Sequence, residues 1–181
     1  MAFAAIAVLG ANARSKFVTR MGQATIFSHT DAEDISATNN TVTGVINTGS
    51  GDIAISIPVQ SFTFVKALMQ EHFNNANFMD SKQYSRMTLE EKIFNLSSID
   101  FSKNGKYEAT VAGDLTIRGT TKPVTEAATM EVNNGKVTVS SKFTVKEIGS
   151  HGVEKPMGKK KNNVADDIQV TYTAVYKKGD E

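Results

Sequence analysis

The residues able to do acid–base or metal chemistry are few and scattered: histidines at positions 29, 72 and 151, no cysteine, and one carboxylate, Glu126, that its strand phase turns inward. A general acid or base would have to converge with a second such group on one reacting atom. His72 directly follows Glu71, but consecutive helical side chains diverge by about 100° and do not share a target. Glu126 has the phase of Val124, Ala128, Met130 and Val132. An unpaired charge in that phase is costly, so Glu126 is expected at the mouth of the fold in water, on a local bulge, or facing Lys122. No G-x-S-x-G, H-E-x-x-H or phosphate-loop motif occurs, and those are the patterns that would fix a nucleophile, a zinc site or a nucleotide. No catalytic residue, metal ligand or cofactor is therefore assigned.

Composition narrows the function further. A chain without cysteine has no thiol nucleophile, thiolate zinc site, iron–sulfur cluster or disulfide. Lys and Arg number 20 against 19 Asp and Glu, a net charge of +1, which lacks the basic excess of a nucleic-acid binder. The 181 residues, 40% hydrophobic and 22% charged, suit one folded domain. A domain of that size buries about 70% of the surface its unfolded chain exposes, so it needs no staples.

Two segments stand outside the regular pattern. The apolar run Met1 to Leu9, followed by Gly10 and Ala11-Asn12-Ala13, has the length and small-residue end of an export signal, although it lacks a basic start. It is too short to span a bilayer. Residues 1–13 are read as a truncated signal peptide and 14–181 as the working domain, in the periplasm or secreted. The alternative is a short buried strand or helix of the domain itself. Between Ile148 and Ala165 the chain loses periodicity and carries Lys159-Lys-Lys161, a solvated loop or a contact for anionic headgroups.

The elements that must position any site alternate with period two. Ile53, Ile55, Ile57 and Val59 share one face, as do Tyr107, Ala109, Val111, Gly113, Leu115 and Ile117, then Val137, Val139, Ser141, Phe143 and Val145, then Ile168, Val170, Tyr172, Ala174 and Tyr176. That is the pattern of half-buried strands. Asn104-Gly105 and Asn134-Gly135 signal two-residue hairpins, expected to join Ile93–Phe101 to Lys106–Arg118 and Val124–Val132 to Lys136–Lys146. With Thr25–His29, Val42–Ile46, Ile53–Val59 and the last strand, the count reaches eight. An all-β, up-and-down antiparallel barrel follows, with a sandwich as the competing solution. Val65, Leu68, Met69, His72 and Phe73 instead fall on one face of a short helix, which either plugs the core or lines a ligand site at an open barrel end.

Several stretches together resemble the YceI-like proteins, especially the form common in Bacteroidetes: Leu68-Met-Gln-Glu-His-Phe-Asn74, Phe78-Met-Asp-Ser-Lys-Gln-Tyr84, Gly105-Lys-Tyr-Glu-Ala109, and Gly113-Asp-Leu-Thr-Ile-Arg-Gly119 with Thr121-Lys-Pro-Val124. The likeness runs from about Arg14 to Lys178, and the block from Gly105 to Val124 is its specific part. It departs at Gln83-Tyr84-Ser85, where the family usually has Lys-Tyr-Pro, and at Glu126, where an apolar residue is common. The resemblance implies an extended eight-stranded lipocalin-like barrel with a short helix closing one end. It also implies a non-enzymatic, exported carrier for a long-chain isoprenoid, isoprenoid quinone or fatty-acid-like amphiphile. Lining residues are then expected among Phe62, Phe64, Leu68, Met69, Phe73, Phe78, Met87, Leu89, Leu115, Ile117, Phe143 and Val145, with His72 and Glu126 as polar contacts. The expected partner is the lipid, with transient membrane contact, no membrane span and no nucleic acid; a homodimer is compatible with the sequence. Two other readings stay open: a scaffold or stress-response protein without a bound lipid, and an enzyme using His72 or Glu126 on a prenyl or acyl ligand.

Overall fold

A computed structural model describes residues 15–155 and 163–179; the expected export segment and Lys159–Lys161 lie outside them. The described residues form nine strands: β1 (Lys16–His29), β2 (Asp34–Asn47), β3 (Asp52–Pro58), β4 (Thr63–Phe64), β5 (Arg86–Ile93), β6 (Gly105–Ile117), β7 (Thr120–Asn133), β8 (Lys136–Val145) and β9 (Ile168–Lys178). One helix, α1 (Ala67–Asn74), lies between β4 and β5. The sheet runs β1-β9-β8-β7-β6-β5-β3-β2, and β2 pairs again with β1. Every pairing is antiparallel. Eight strands therefore close on themselves, and closure leaves the long strands no free edge. β4 is a two-residue addition beside β2, with Ala37 opposite Phe64. The barrel, rather than the sandwich, is the fold.

The core lies inside this barrel because alternate residues of each strand point there. Ile53, Ile55, Val111, Leu115, Val137, Val139, Val170 and Tyr176 are all buried, while their neighbours in the strands face out. The turns explain how neighbouring strands stay in register. Asn134-Gly135 has φ of 49° and 73° between the paired residues Asn133 and Lys136, the left-handed pair that a tight hairpin requires. Arg118-Gly119, with φ of 48° and 75°, makes an equivalent turn between Ile117 and Thr120. Its first residue is no turn former, and tertiary contacts hold it: the Arg118 guanidinium donates to the carbonyls of Gly152 and Ala76 and lies 5.9 Å from the Tyr84 ring centre.

Two local expectations are corrected. The strand placed at Ile93–Phe101 lies instead at Arg86–Ile93, and Asn104-Gly105 is no hairpin, because residues 94–104 form a loop with one 3₁₀ turn at Leu96–Ser98. The charged Glu91 in the inward phase interrupts the apolar alternation Met87, Leu89, Ile93 and disguises the strand. Asn95 then anchors the loop by donating to the Glu108 carbonyl (2.8 Å) and accepting the Thr110 N–H (2.9 Å). Of the two roles open to the apolar helix face, the plug buried in the core is excluded. Of its five residues only Phe73 is buried, while Val65, which precedes α1, is 98% exposed and Leu68 57%.

Gly113 on β6 faces Glu91 on β5 at unusually close range. A Cβ placed there would stand 1.9 Å from the Glu90 carbonyl oxygen, and a backbone atom cannot swing away. Gly113→Ala is expected to lower unfolding free energy by roughly 1–3 kcal/mol or more. Gly149→Ala, where nothing lies within 4 Å of the added carbon, is expected to be near neutral; urea denaturation of both variants checks the contrast.

Candidate binding cavity and buried acid pair

Two features share the barrel interior, one above the other. The upper is an apolar cavity of about 340 Å³, within the usual range of ligand pockets of roughly 300–1,000 Å³. Helix α1 and the segment before it supply Phe62, Phe64, Leu68, Met69, His72 and Phe73 to its wall. The loop after α1 and β5 add Phe78, Met79 and Met87; β6 adds Leu115 and Ile117, and β8 adds Phe143 and Val145. Phe73 holds the helix end together, its ring centre 5.5 Å from that of Phe62, 5.0 Å from Phe64 and 5.9 Å from Phe78. These offset and edge-on contacts suit aromatic quadrupoles.

Eleven of the twelve apolar residues expected at a lining border this cavity; Leu89 does not. It is buried in the layer beneath, 4% exposed, because two residues of strand carry it past the cavity floor. Sequence reasoning missed Ala24, Ile26 and Phe27 of β1, Ile35 of β2, Ile57 of β3 and Ile168 and Val170 of β9. Inward phase was a usable signal for all of these except Phe27, which follows Ile26 in the strand and has the other phase, but their height along the barrel depends on the pairing between distant strands. Of the polar rim only His72 was expected from the sequence. Lys66 pairs with Glu33 (2.8 Å), Asn163 donates to the same carboxylate (3.0 Å), and the Ala165 N–H donates to the Ser28 hydroxyl (2.9 Å).

The lower feature contains Glu126. It is not at the mouth, not in water and not opposite Lys122: it is 9% exposed inside the barrel beside Glu91, which is 7% exposed, and Lys122 is bonded to Ser150 instead. The two acids come from β5 and β7, on either side of β6, where their partners are Gly113 and Val111. Ser141, Tyr172 and Tyr176 complete the polar wall of a void of about 10 Å³. The tyrosine hydroxyls bond one another at 2.8 Å, and Gly44 makes room for that of Tyr176, which would stand 2.4 Å from an added Cβ. Glu91 Oε1, Glu126 Oε2 and Ser141 Oγ are buried without a protein hydrogen-bond partner.

Burial, and then the neighbouring Glu126 carboxyl, push Glu91 from its ordinary 4.5 to about 8. Burial likewise raises Glu126 to about 7, with the nearby Ser141 hydroxyl and Glu91 carboxyl pulling it partly back. Burial raises Tyr176 to about 12 and Tyr172 higher still. The histidines are dispersed. His72 is exposed at the cavity rim, His29 is an exposed partner of Asp34 (2.5 Å), and His151 is buried with Nδ1 3.1 Å from the Thr120 carbonyl. His72 and Glu126 therefore border different spaces. Among the described residues no three His, Asp or Glu gather in metal-binding geometry, and no helix is long and apolar enough to cross a membrane.

A closed antiparallel barrel with an apolar interior and a helix at one end is a lipocalin-like barrel. This chain belongs to the YceI-like domain family, whose model matches residues 12–176. Among solved structures, a polyisoprenoid-binding domain from Saccharophagus degradans superposes with a TM-score of 0.75 at 9% identity, over 92% of this chain and 99% of that one. BcnA of Burkholderia cenocepacia gives 0.68 at 20% identity, over 85% and 95%. A variant of the YceI protein of Campylobacter jejuni gives 0.60 at 19% identity, over 84% and 90%. At these identities the likeness is one of fold. No curated protein matches the sequence.

Stability should report the acid pair. In the fold both carboxyls keep protons at pH values where the unfolded chain, titrating near 4.5, has lost them. The folded state binds more protons, so stability falls as pH rises, until both groups have ionised above about 8. His151, lowered by burial from its ordinary 6.5, acts in the opposite sense at lower pH. Between 6.5 and about pH 9 the loss is expected to be on the order of 2–4 kcal/mol, with Glu126→Gln expected to reduce it and the Glu91→Gln, Glu126→Gln double variant to flatten it. Thermal melts followed by circular dichroism across that window check both.

Proposed function

We propose that this chain is a non-enzymatic carrier that shields a long apolar chain, an isoprenoid, isoprenoid quinone or fatty-acid-like amphiphile, inside its barrel. The observation that carries the reading is the cavity itself: a space of about 340 Å³ walled by aliphatic and aromatic side chains and opening beside α1. Burial of each CH₂ contributes about 0.8 kcal/mol, so a chain of ten or so carbons binds firmly without a polar anchor. Met69, Met79 and Met87 in the wall can repack around a flexible ligand. Membership of the YceI-like family and the fold shared with a polyisoprenoid-binding domain support the same conclusion.

Loading and location extend the proposal. Val65 and Leu68 stand exposed beside the mouth, where a lipid surface could receive them while the ligand passes. Export to the periplasm or beyond rests on the apolar run before Arg14; a protein recovered from cells still starting at Met1 would overturn it. For the carrier reading, purified protein is extracted and analysed by native mass spectrometry, with a bound long-chain species expected. Leu115→Trp, which fills the cavity from β6, is expected to weaken binding of a fluorescent long-chain probe by about tenfold or more. Wild-type protein that neither carries nor takes up any such chain would refute the carrier.

A further inference from the structure

The polar void lies directly beneath the apolar cavity along the same strands. Two residues of strand, about 6.6 Å, lead from Phe143 in the cavity wall to Ser141 in the void, from Val170 to Tyr172, and from Ile57 to Ile55. On β5 one buried side chain, Leu89, intervenes between Met87 above and Glu91 below. On β6 the inward residue between Leu115 in the cavity wall and Val111 in the void is Gly113, which has no side chain to block the way. Both acids are more than nine-tenths buried. Glu91 Oε1, Glu126 Oε2 and Ser141 Oγ accept nothing from the protein. The remaining wall of the void is aliphatic apart from the two mutually bonded tyrosines, so no cation faces the acids.

Buried polar groups left unmatched cost on the order of 1–3 kcal/mol each, and here three of them border one void. We infer that Glu91, Glu126 and Ser141 form a second binding site that receives the polar end of the ligand, and that this site selects chains ending in an uncharged or cationic hydrogen-bond donor. An alcohol, a primary amide or an ammonium group can donate to the carboxyl oxygens, and Ser141 can donate to the first two in return. A chain ending in a carboxylate or phosphate meets like charge without a counter-ion. The chain enters polar end first, and a rotamer change at Leu89 joins the two spaces. The burial that raises both acids also keeps at least one of them protonated near neutral pH, which limits the charge a neutral ligand end must meet.

This inference rests on the carrier reading, and one experiment separates the two. Delipidated protein at pH 7 is titrated with dodecanol, dodecanamide, dodecylamine and dodecanoate, each displacing the same fluorescent probe. The three donors are expected to bind at least about tenfold more tightly than dodecanoate. The preference should shrink to about threefold or less in the Glu91→Gln, Glu126→Gln double variant, with the probe still bound. Ser141→Ala, a smaller change that tests the same wall, is expected to reduce the preference for the alcohol and amide. Equal binding of all four chains, or a preference that survives unchanged in the double variant, overturns the polar-end site and leaves the carrier standing. Failure of every chain and of the probe to bind the wild-type protein removes both.

Discussion

The pairing of β1 with β2 is the interaction on which everything else depends. Without it the sheet would be open, with β1 and β2 as long unsatisfied edges and a flattened interior. With it, eight strands enclose a space, and the inward residue of each strand is set by the pleat. Register and closure together place Phe143 against the cavity and Ser141 against the void beneath, though both are alternate residues of one strand. A shift of one residue in any ladder would send that strand's inward set to solvent. The close approach of β5 and β6 at Gly113 is part of the same constraint, since it is where the two ladders flanking the acids meet.

The interior is divided by chemistry. Toward α1 the wall is almost entirely apolar, and charged groups appear only at the rim, where Glu33 is held by Lys66 and Asn163. Deeper, among buried side chains, stand two carboxyls and no cation. A barrel selected only for stability would fill those positions with aliphatic side chains, because unpaired buried acids weaken a fold. Retaining them is intelligible if the space above brings something to them. The neighbouring tyrosine pair, bonded to itself and seated against Gly44, does not compete for that role.

Much of the fold was legible because period-two alternation survives in a strand that buries one face. Strands around Ile53–Val59, Lys106–Arg118, Val124–Val132 and Lys136–Lys146 overlap β3, β6, β7 and β8 closely. β5 was misplaced for the reason that makes it interesting: Glu91 breaks the alternation at the position where the site needs an acid. The Arg118-Gly119 turn was missed because its first residue is held in the left-handed region by partners far away in sequence. Within the cavity, the inward phase identified most of the wall on β5, β6 and β8, while Leu89 shows that phase does not give height.

By itself the sequence determined which residues face inward, because backbone geometry makes that a local property with a period of two. It also determined that thiol chemistry is absent, since no fold can supply a missing side chain. Only the tertiary structure decided that the interior is a closed barrel with room left in it, and that Glu91 and Glu126 face one another across β6. The reason is physical. The stagger between strands is set by pairings among residues distant in the chain, so no local pattern reveals which inward side chains share a level.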